Sequence, residues 1–228
     1  MEFDDVIKRR RSVRRFSDQR PDHAVVDRCI DQARRAPTAG FSQGVDFLVL
    51  DDAEALAEFW AMVEDPEFPD EEDEKAARPP VLVLVWSDPR RYVERYSADD
   101  KIEFGMDQEA AWPVKFWDID AAMAAMQLQL AAVNQGIDTW FFGIPHGEDA
   151  VRERFGVPAD RKQVGIVALG YRYEDEQPPS SFSKSRRRPL EEQLHRNGWQ
   201  VSDVGARSRP RCPRSHGLPA ARSRLLPG

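Results

Sequence analysis

Between Lys8 and Phe16 the chain reads KRRRSVRRF, six cations in nine positions. Arg10, Arg11, Ser12 and Arg14 fall where a short helix gives way to an extended segment. Side chains alternate in extended chain, so Ser12 and Arg14 share one side. Guanidinium groups with a hydroxyl suit a phosphate, because Arg offers forked donors and a permanent charge. The same pattern also serves a solvated basic turn. A second knot, SKSRRRPLEE, sets Lys184, Arg186, Arg187 and Arg188 just before a proline. The two knots either converge on one anion or are separate surface features.

The loop APTAGFSQG offers other means. It carries a hydroxyl, two glycines and an amide, and small residues let a planar ligand approach the backbone. Read blandly, it is a helix-to-strand turn. No GxGxxG or P-loop pattern occurs, which leaves a Rossmann or P-loop nucleotide site little support. His23, His146, His195 and His216 lack metal-ligand spacing, and no carboxylate pair stands out as an acid/base couple. Anion-binding arginines without a catalytic side chain point to chemistry done by a bound cofactor.

These residues need a scaffold. Residues 4–11 read as a short helix. From Asp22, an N-cap, a helix puts Val25, Val26, Cys29, Ile30 and Ala33 on one face and runs until Pro37 stops it. VDFLVL reads as a strand and DAEALAEFWAMV as an amphipathic helix. The acidic, Pro-bearing stretch EDPEFPDEEDEKAARPP is either a surface insertion or a lid. VLVLVW is a strand covered on both faces. Residues 87–116 are mixed, with DPRRYVERY a candidate helix. Asp118 to Gln135 is the strongest helix, apolar nearly all round and so central, with Gly136 at its C-terminal end. DTWFFGI and QVGIVALGY read as strands around a short helix, EDAVRERFG. The whole is α+β or α/β with one sheet of four or five strands. Beyond Val201 the chain is rich in Arg, Pro, Gly and Ser and reads as disordered.

The totals bound the function. The chain has 228 residues and a formal net charge of -7, which argues against a general nucleic-acid binder. Two cysteines, Cys29 and Cys212, make no disulfide framework and suit a reducing cytoplasm. The polar N-terminus reads as no secretory signal, and the longest apolar run, Ala121 to Val133, is too short to span a bilayer.

Taken together, RRSVRRF, ARRAPTAGFSQ and RRRPLEEQLHRNGW, with FWDIDAAMAAMQLQLAAVNQGIDTWFFGIP and VGIVALGY, resemble the flavin-dependent nitroreductase family over roughly residues 4–199. The resemblance implies an α+β, three-layer fold over residues 1–200, with a central, mostly antiparallel sheet flanked by helices, and an intertwined homodimer. It implies FMN at the dimer interface and NAD(P)H as donor, with hydride passed to a nitroaromatic, quinone or enone. By position, Arg10, Arg11, Ser12 and Arg14 match residues that hold the FMN phosphate and ribityl chain. Pro37, Thr38, Ala39, Gly40 and Gln43 match the loop that reaches the partner's flavin. Phe142, Gly143 and Ile144 match the stretch near the ring. Arg187, with Ser185 and Arg186, matches a late basic contribution to the phosphate. Trp112, Phe116 and Trp117 are either pocket walls or core and dimer contacts. Phe41 and the Gly44–Val45 pair depart from the family's usual Asn and Pro-Trp. That departure keeps two alternatives open: a flavin-sequestering protein with little turnover, and a deazaflavin user. A third, independent of the family, is a basic-patch module for an acidic partner.

Overall fold

A computed structural model describes residues 1–65, 67, 75, 77–144, 146–174 and 187–199. The chain divides into two units, 1–177 and 178–228. In the first, a sheet is formed by β1 (Val45–Leu50), β2 (Val81–Ser87), β3 (Asp138–Phe142) and β4 (Lys162–Gly170), in the order β1-β2-β4-β3. Every neighbouring pair is antiparallel. The helices are α1 (Phe3–Arg9), α2 (His23–Ala33), α3 (Ala53–Val63), α4 (Pro89–Tyr96), α5 (Phe116–Asn134) and α6 (Glu148–Arg154).

The sheet's alternation makes three layers. On β2, Val81, Val83 and Val85 face a core of Ala121, Ala125 and Leu128 from α5 and Val26, Cys29 and Ala33 from α2. Leu82, Leu84 and Trp86 face the opposite core, with Leu56 and Phe59 of α3 and Val151 of α6. All of β2 is buried, as its unbroken apolar run requires. The N-terminal segment closes the β3 side. Ser12 bridges Thr139 in parallel, and the Val13 N–H donates to the Thr139 carbonyl at 3.0 Å. Phe16 bridges Arg172 beyond β4, and its side chain is fully buried.

Helix limits follow local chemistry. Asp22 accepts from the Ala24 N–H and caps α2. That helix ends at Ala33, short of Pro37. Arg35 and Ala36 instead donate to the carbonyls three residues back, the tighter turn expected before a proline. Asp52 and Asp88 cap α3 and α4, and Pro89 opens α4 where it lacks no bond. α1 covers Phe3–Arg9, so Arg10 and Arg11 lie past its end. α5 starts at Phe116, two residues earlier than its sequence pattern suggests. It closes with Gly136 donating to Val133 and Ile137 to Ala132, a Schellman arrangement.

One expectation about α5 needs correction. Among the described residues the helix is not surrounded. Phe116, Ile119, Met123 and Met126 are exposed along one face, because only the opposite face meets the sheet and α2. Among the described residues, no helix is long and apolar enough to cross a membrane. The 66–76 insertion is described only at residues 67 and 75, and everything from 200 onward lies outside the described residues.

Candidate functional site

The first group of candidate residues sits at the junction of the N-terminal segment with β3. Val13 is buried, so Ser12 and Arg14, on either side of it, both face outward, as alternation requires. The Ser12–Thr139 bridge brings this pair beside β3, whose end carries Phe142, Gly143 and Ile144. Arg14 lies over the Trp140 ring, its Cζ 5.9 Å from the centroid. Phe142 is stacked between Trp140 and Trp60, while Gly143 is exposed. Arg10 is half-buried. Arg11 folds back, its guanidinium donating to the carbonyls of Lys8 and Arg10 at 2.5 and 2.9 Å. A cation there also complements the carbonyl end of α1.

The second group is the loop Pro37–Gly44, and its backbone is tightly held. Asp120, a carboxylate on α5 only 2% exposed, accepts from the Ala39 N–H and from the Tyr92 hydroxyl, each at 2.8 Å. Burial pushes the Tyr92 hydroxyl well above the usual phenol range, and the Asp120 bond adds to this, so Tyr92 remains a donor. The Arg95 Nε donates to the Gly40 carbonyl at 3.0 Å, while its two terminal nitrogens grip Asp100 at 2.7 and 2.6 Å. Those bonds hold the Asp100 carboxyl below its ordinary range. Thr38 Oγ1 accepts from the Gln43 N–H at 3.0 Å, and Ser42 Oγ donates to the Ala39 carbonyl at 2.7 Å.

The glycines are needed for this packing. Gly40 has φ +62°, and a Cβ there would meet the Tyr96 ring at 2.7 Å. A Cβ on Gly44 would lie 2.5 Å from the Tyr92 ring. Two larger residues also take the left-handed region, Phe41 at φ +59° and Gln43 at φ +53°. The Phe41 side chain projects from this fixed backbone and is 76% exposed. Pro37 and Gln43 are exposed as well. A cleft of about 130 Å³ lies under the loop, lined by Ala33, Ala36, Thr38, Gln43, Val45 and others.

Tyr92 and Tyr96 belong to an aromatic group with Trp112 and Trp117. Trp112 and Trp117 are therefore core of that group, and Phe116 is an exposed residue at the start of α5. Sequence reasoning missed Asp120, Tyr92, Arg95 and Trp140. One signal was available: Asp120 interrupts an Ala-rich helix, and a buried carboxylate there must find donors.

The structure does not join the two groups within one chain. The loop is anchored on α5 at Asp120, whereas Thr139 is held by Gln129, a hydrogen bond of 3.4 Å. Those anchor points are nine residues apart on the helix, about 13 Å along its axis. Arg187 is exposed in the second unit. There Arg188 bonds the Glu192 carbonyl at 2.8 Å and a short turn covers Leu190–Glu192. Lys184, Ser185 and Arg186 lie outside the described residues.

Other chemistries find little support in the side chains. Burial pushes the Cys29 thiol up to about 11, so it is no ready nucleophile. His23 contacts Asp51 at 2.7 Å and His146 contacts Asp65 at 3.3 Å. Among the described residues, no three His, Cys, Asp or Glu side chains gather as a metal site.

Comparison with known proteins agrees with this geometry. The family model described as "Nitroreductase family" matches residues 7–171. A protein of Archaeoglobus fulgidus named "Putative NADH dehydrogenase/NAD(P)H nitroreductase" is 25% identical over 197 residues, covering 85% of this chain and 97% of its own. Among solved structures, a nitroreductase family protein from Streptococcus pneumoniae TIGR4 superposes with a TM-score of 0.65 at 21% identity, covering 86% of this chain and 100% of that one. Another, described as "a putative nitroreductase in complex with FMN" from Exiguobacterium sibiricum 255-15, gives 0.65 at 22%, covering 88% and 98%. At these identities the superpositions speak for the fold. The family match spans both groups of candidate residues, from within α1 to beyond the end of β4: the chain belongs to the nitroreductase family.

Proposed function

We propose that this chain is an FMN-dependent oxidoreductase that takes reducing equivalents from NAD(P)H and passes them to a small organic acceptor. One observation carries the reading: Ser12 and Arg14 face outward together, with Ser12 bridged to Thr139 near the start of β3. A hydroxyl and a guanidinium on one edge fit a phosphate monoester. Gly143, four residues on from the bridged Thr139, is exposed and allows a planar ring to approach backbone. The residues present therefore fit FMN. Arg10, Ser12 and Arg14 hold its phosphate and ribityl end, Phe142 to Ile144 border its ring, and Arg11 adds positive charge. The chemistry supplied by bound FMN is two-electron transfer to a nitroaromatic, quinone or enone.

The Pro37–Gln43 loop completes the site from a second copy of the chain. Two features support a homodimer. The loop is anchored away from the Arg14 edge within its own chain. The exposed α5 residues Phe116, Ile119, Met123 and Met126, with half-buried Leu130, recur at three- and four-residue steps, the seam of a helix packed on a helix. Beside that seam a groove of about 680 Å³ is lined by Phe3, Val6, Met123, Met126 and Leu130 among others.

The test is a visible spectrum of the purified chain, followed by anaerobic titration with NADPH and NADH. The expected result is a yellow protein that bleaches with reductant and oxidises it steadily when a quinone is added. Colourless protein that takes up no added FMN overturns the reading. Phe41 favours a second reading, a flavin-sequestering protein, since a displayed ring can cover the flavin face; it predicts bound flavin without steady turnover.

A further inference from the structure

The loop that carries Phe41 is joined to an aromatic patch of its own chain. Arg95, near the end of α4, donates from Nε to the Gly40 carbonyl at 3.0 Å, and its terminal nitrogens bond both oxygens of Asp100 at 2.7 and 2.6 Å. Tyr96, the last residue of α4, packs against Gly40, where a Cβ would lie 2.7 Å from its ring. Buried Trp112 braces Tyr96 edge-on at 4.7 Å, and Phe104 meets the Tyr96 ring edge-on at 6.1 Å. The turn between Tyr96 and Phe104 is closed by its own backbone: the Lys101 N–H donates to the Ala98 carbonyl at 2.8 Å, and the Phe104 N–H to the Lys101 carbonyl at 3.0 Å. Three large apolar side chains on these fixed segments stand out in solvent, Phe41 at 76%, Phe104 at 54% and Ile102 at 47% exposure.

A cation sits on this patch. The Lys101 ammonium lies 5.1 Å from the Phe104 centroid and 5.5 Å from that of Tyr96. Aromatic rings attract an ammonium through their quadrupoles and leave its charge intact. Asp100, beside Lys101 in the chain, already has both oxygens bonded by Arg95. Among the described residues no carboxylate lies within ion-pairing distance of Lys101. Exposed rings recognise a flat ring, and an ammonium with N–H groups to give recognises an anion. We infer that Phe41, Tyr96, Phe104 and Lys101 form an acceptor-binding platform for a planar aromatic compound that carries a carboxylate or similar anionic group, with Lys101 as the specificity-determining residue. The inference rests on the proposed flavin site, because Gly40, held by Arg95 and Tyr96, belongs to the loop that completes that site.

Naphthoate and naphthamide share a ring system and differ in charge, and neither accepts hydride, so they report binding apart from turnover. The full-length chain loaded with FMN is titrated with each by calorimetry. Wild type should bind the acid about three- to tenfold more tightly than the amide, as one partly exposed charge-assisted contact allows. Lys101→Gln should weaken naphthoate about three- to tenfold more than naphthamide, which abolishes the preference. Phe104→Leu should weaken both probes about threefold, since each loses a ring contact. In turnover, Lys101→Gln should raise KM for nitrobenzoate by a similar factor over that for nitrobenzamide. Equal binding of acid and amide by wild type, a preference intact in Lys101→Gln, or unaltered binding of both probes in Phe104→Leu overturns the inference. A chain that takes up no FMN overturns the functional reading and this one together; a yellow chain indifferent to the probe's charge overturns this one alone.

Discussion

Asp120 shows how one residue can hold a candidate loop it does not belong to. Its Oδ2 accepts from a backbone N–H and from a phenol while the side chain is almost wholly buried. Removing the carboxylate leaves both donors without an acceptor, and an unmet buried donor costs about 1–3 kcal/mol. Asp120→Ala should therefore destabilise the protein by about 3 kcal/mol in urea. Tyr92→Phe, which removes one donor and leaves the Ala39 bond, should cost about 1 kcal/mol. The two changes should be less than additive in a double-mutant cycle, since both break one bond. Full additivity would mean the observed bond carries no energy. Asp120 was visible in the sequence as a lone acid in an apolar helix, but its partners lie 81 and 28 residues away and no local pattern names them. Arg14 is the opposite case. Its type and spacing suited either a phosphate ligand or a solvated basic turn, while the Trp140 ring it lies over comes from β3.

At the scale of the element, the Pro37–Gly44 loop is rigid by construction. Asp120 and Arg95 grip the peptide units on either side of the Ala39–Gly40 peptide, and two tyrosine rings close over Gly40 and Gly44. Against that rigidity, Phe41 keeps a left-handed backbone, which costs an L-residue with a Cβ about 1–2 kcal/mol. Asn tolerates that region because its short side chain bonds locally. Phe41 is also mostly exposed, so little burial is lost on replacing it. Phe41→Asn should raise stability by about 0.5–1 kcal/mol, a few degrees in the thermal midpoint. A lower midpoint would show that the ring makes a stabilising contact in the native assembly. The strands and helices themselves were legible, because periods of 2 and 3.6 residues are local properties. The loop's conformation was not, because helices distant in sequence impose it.

At the scale of the molecule, α5 is the decisive element. One face completes the core against β2 and α2, and the other presents an apolar seam. A composition apolar nearly all round predicted burial on every side, and within this chain one face of the helix stays exposed, because the sequence does not say whether a covering surface comes from the same chain. The proposed homodimer answers with a second copy. Met126→Glu places a charge in the centre of that seam. It should convert a dimer to a folded monomer in sedimentation, with native far-UV circular dichroism and loss of bound flavin, since the partner's loop departs with it. A variant that stays dimeric would place the interface elsewhere.

By itself the sequence determined a mixed helix-and-strand fold with one sheet, the order of its elements, the fully buried β2 and the arginine-rich edge. Each follows from periodicity, capping or charge within a dozen residues. Only the tertiary structure decided which face each candidate presents. It set Ser12 and Arg14 beside β3, turned Arg11 back onto its helix, and tied the loop to Asp120. The reason is physical: hydrogen bonds, ring stacking and cation–π contacts act over a few ångströms between residues the chain order keeps far apart, and only a folded core brings them within range.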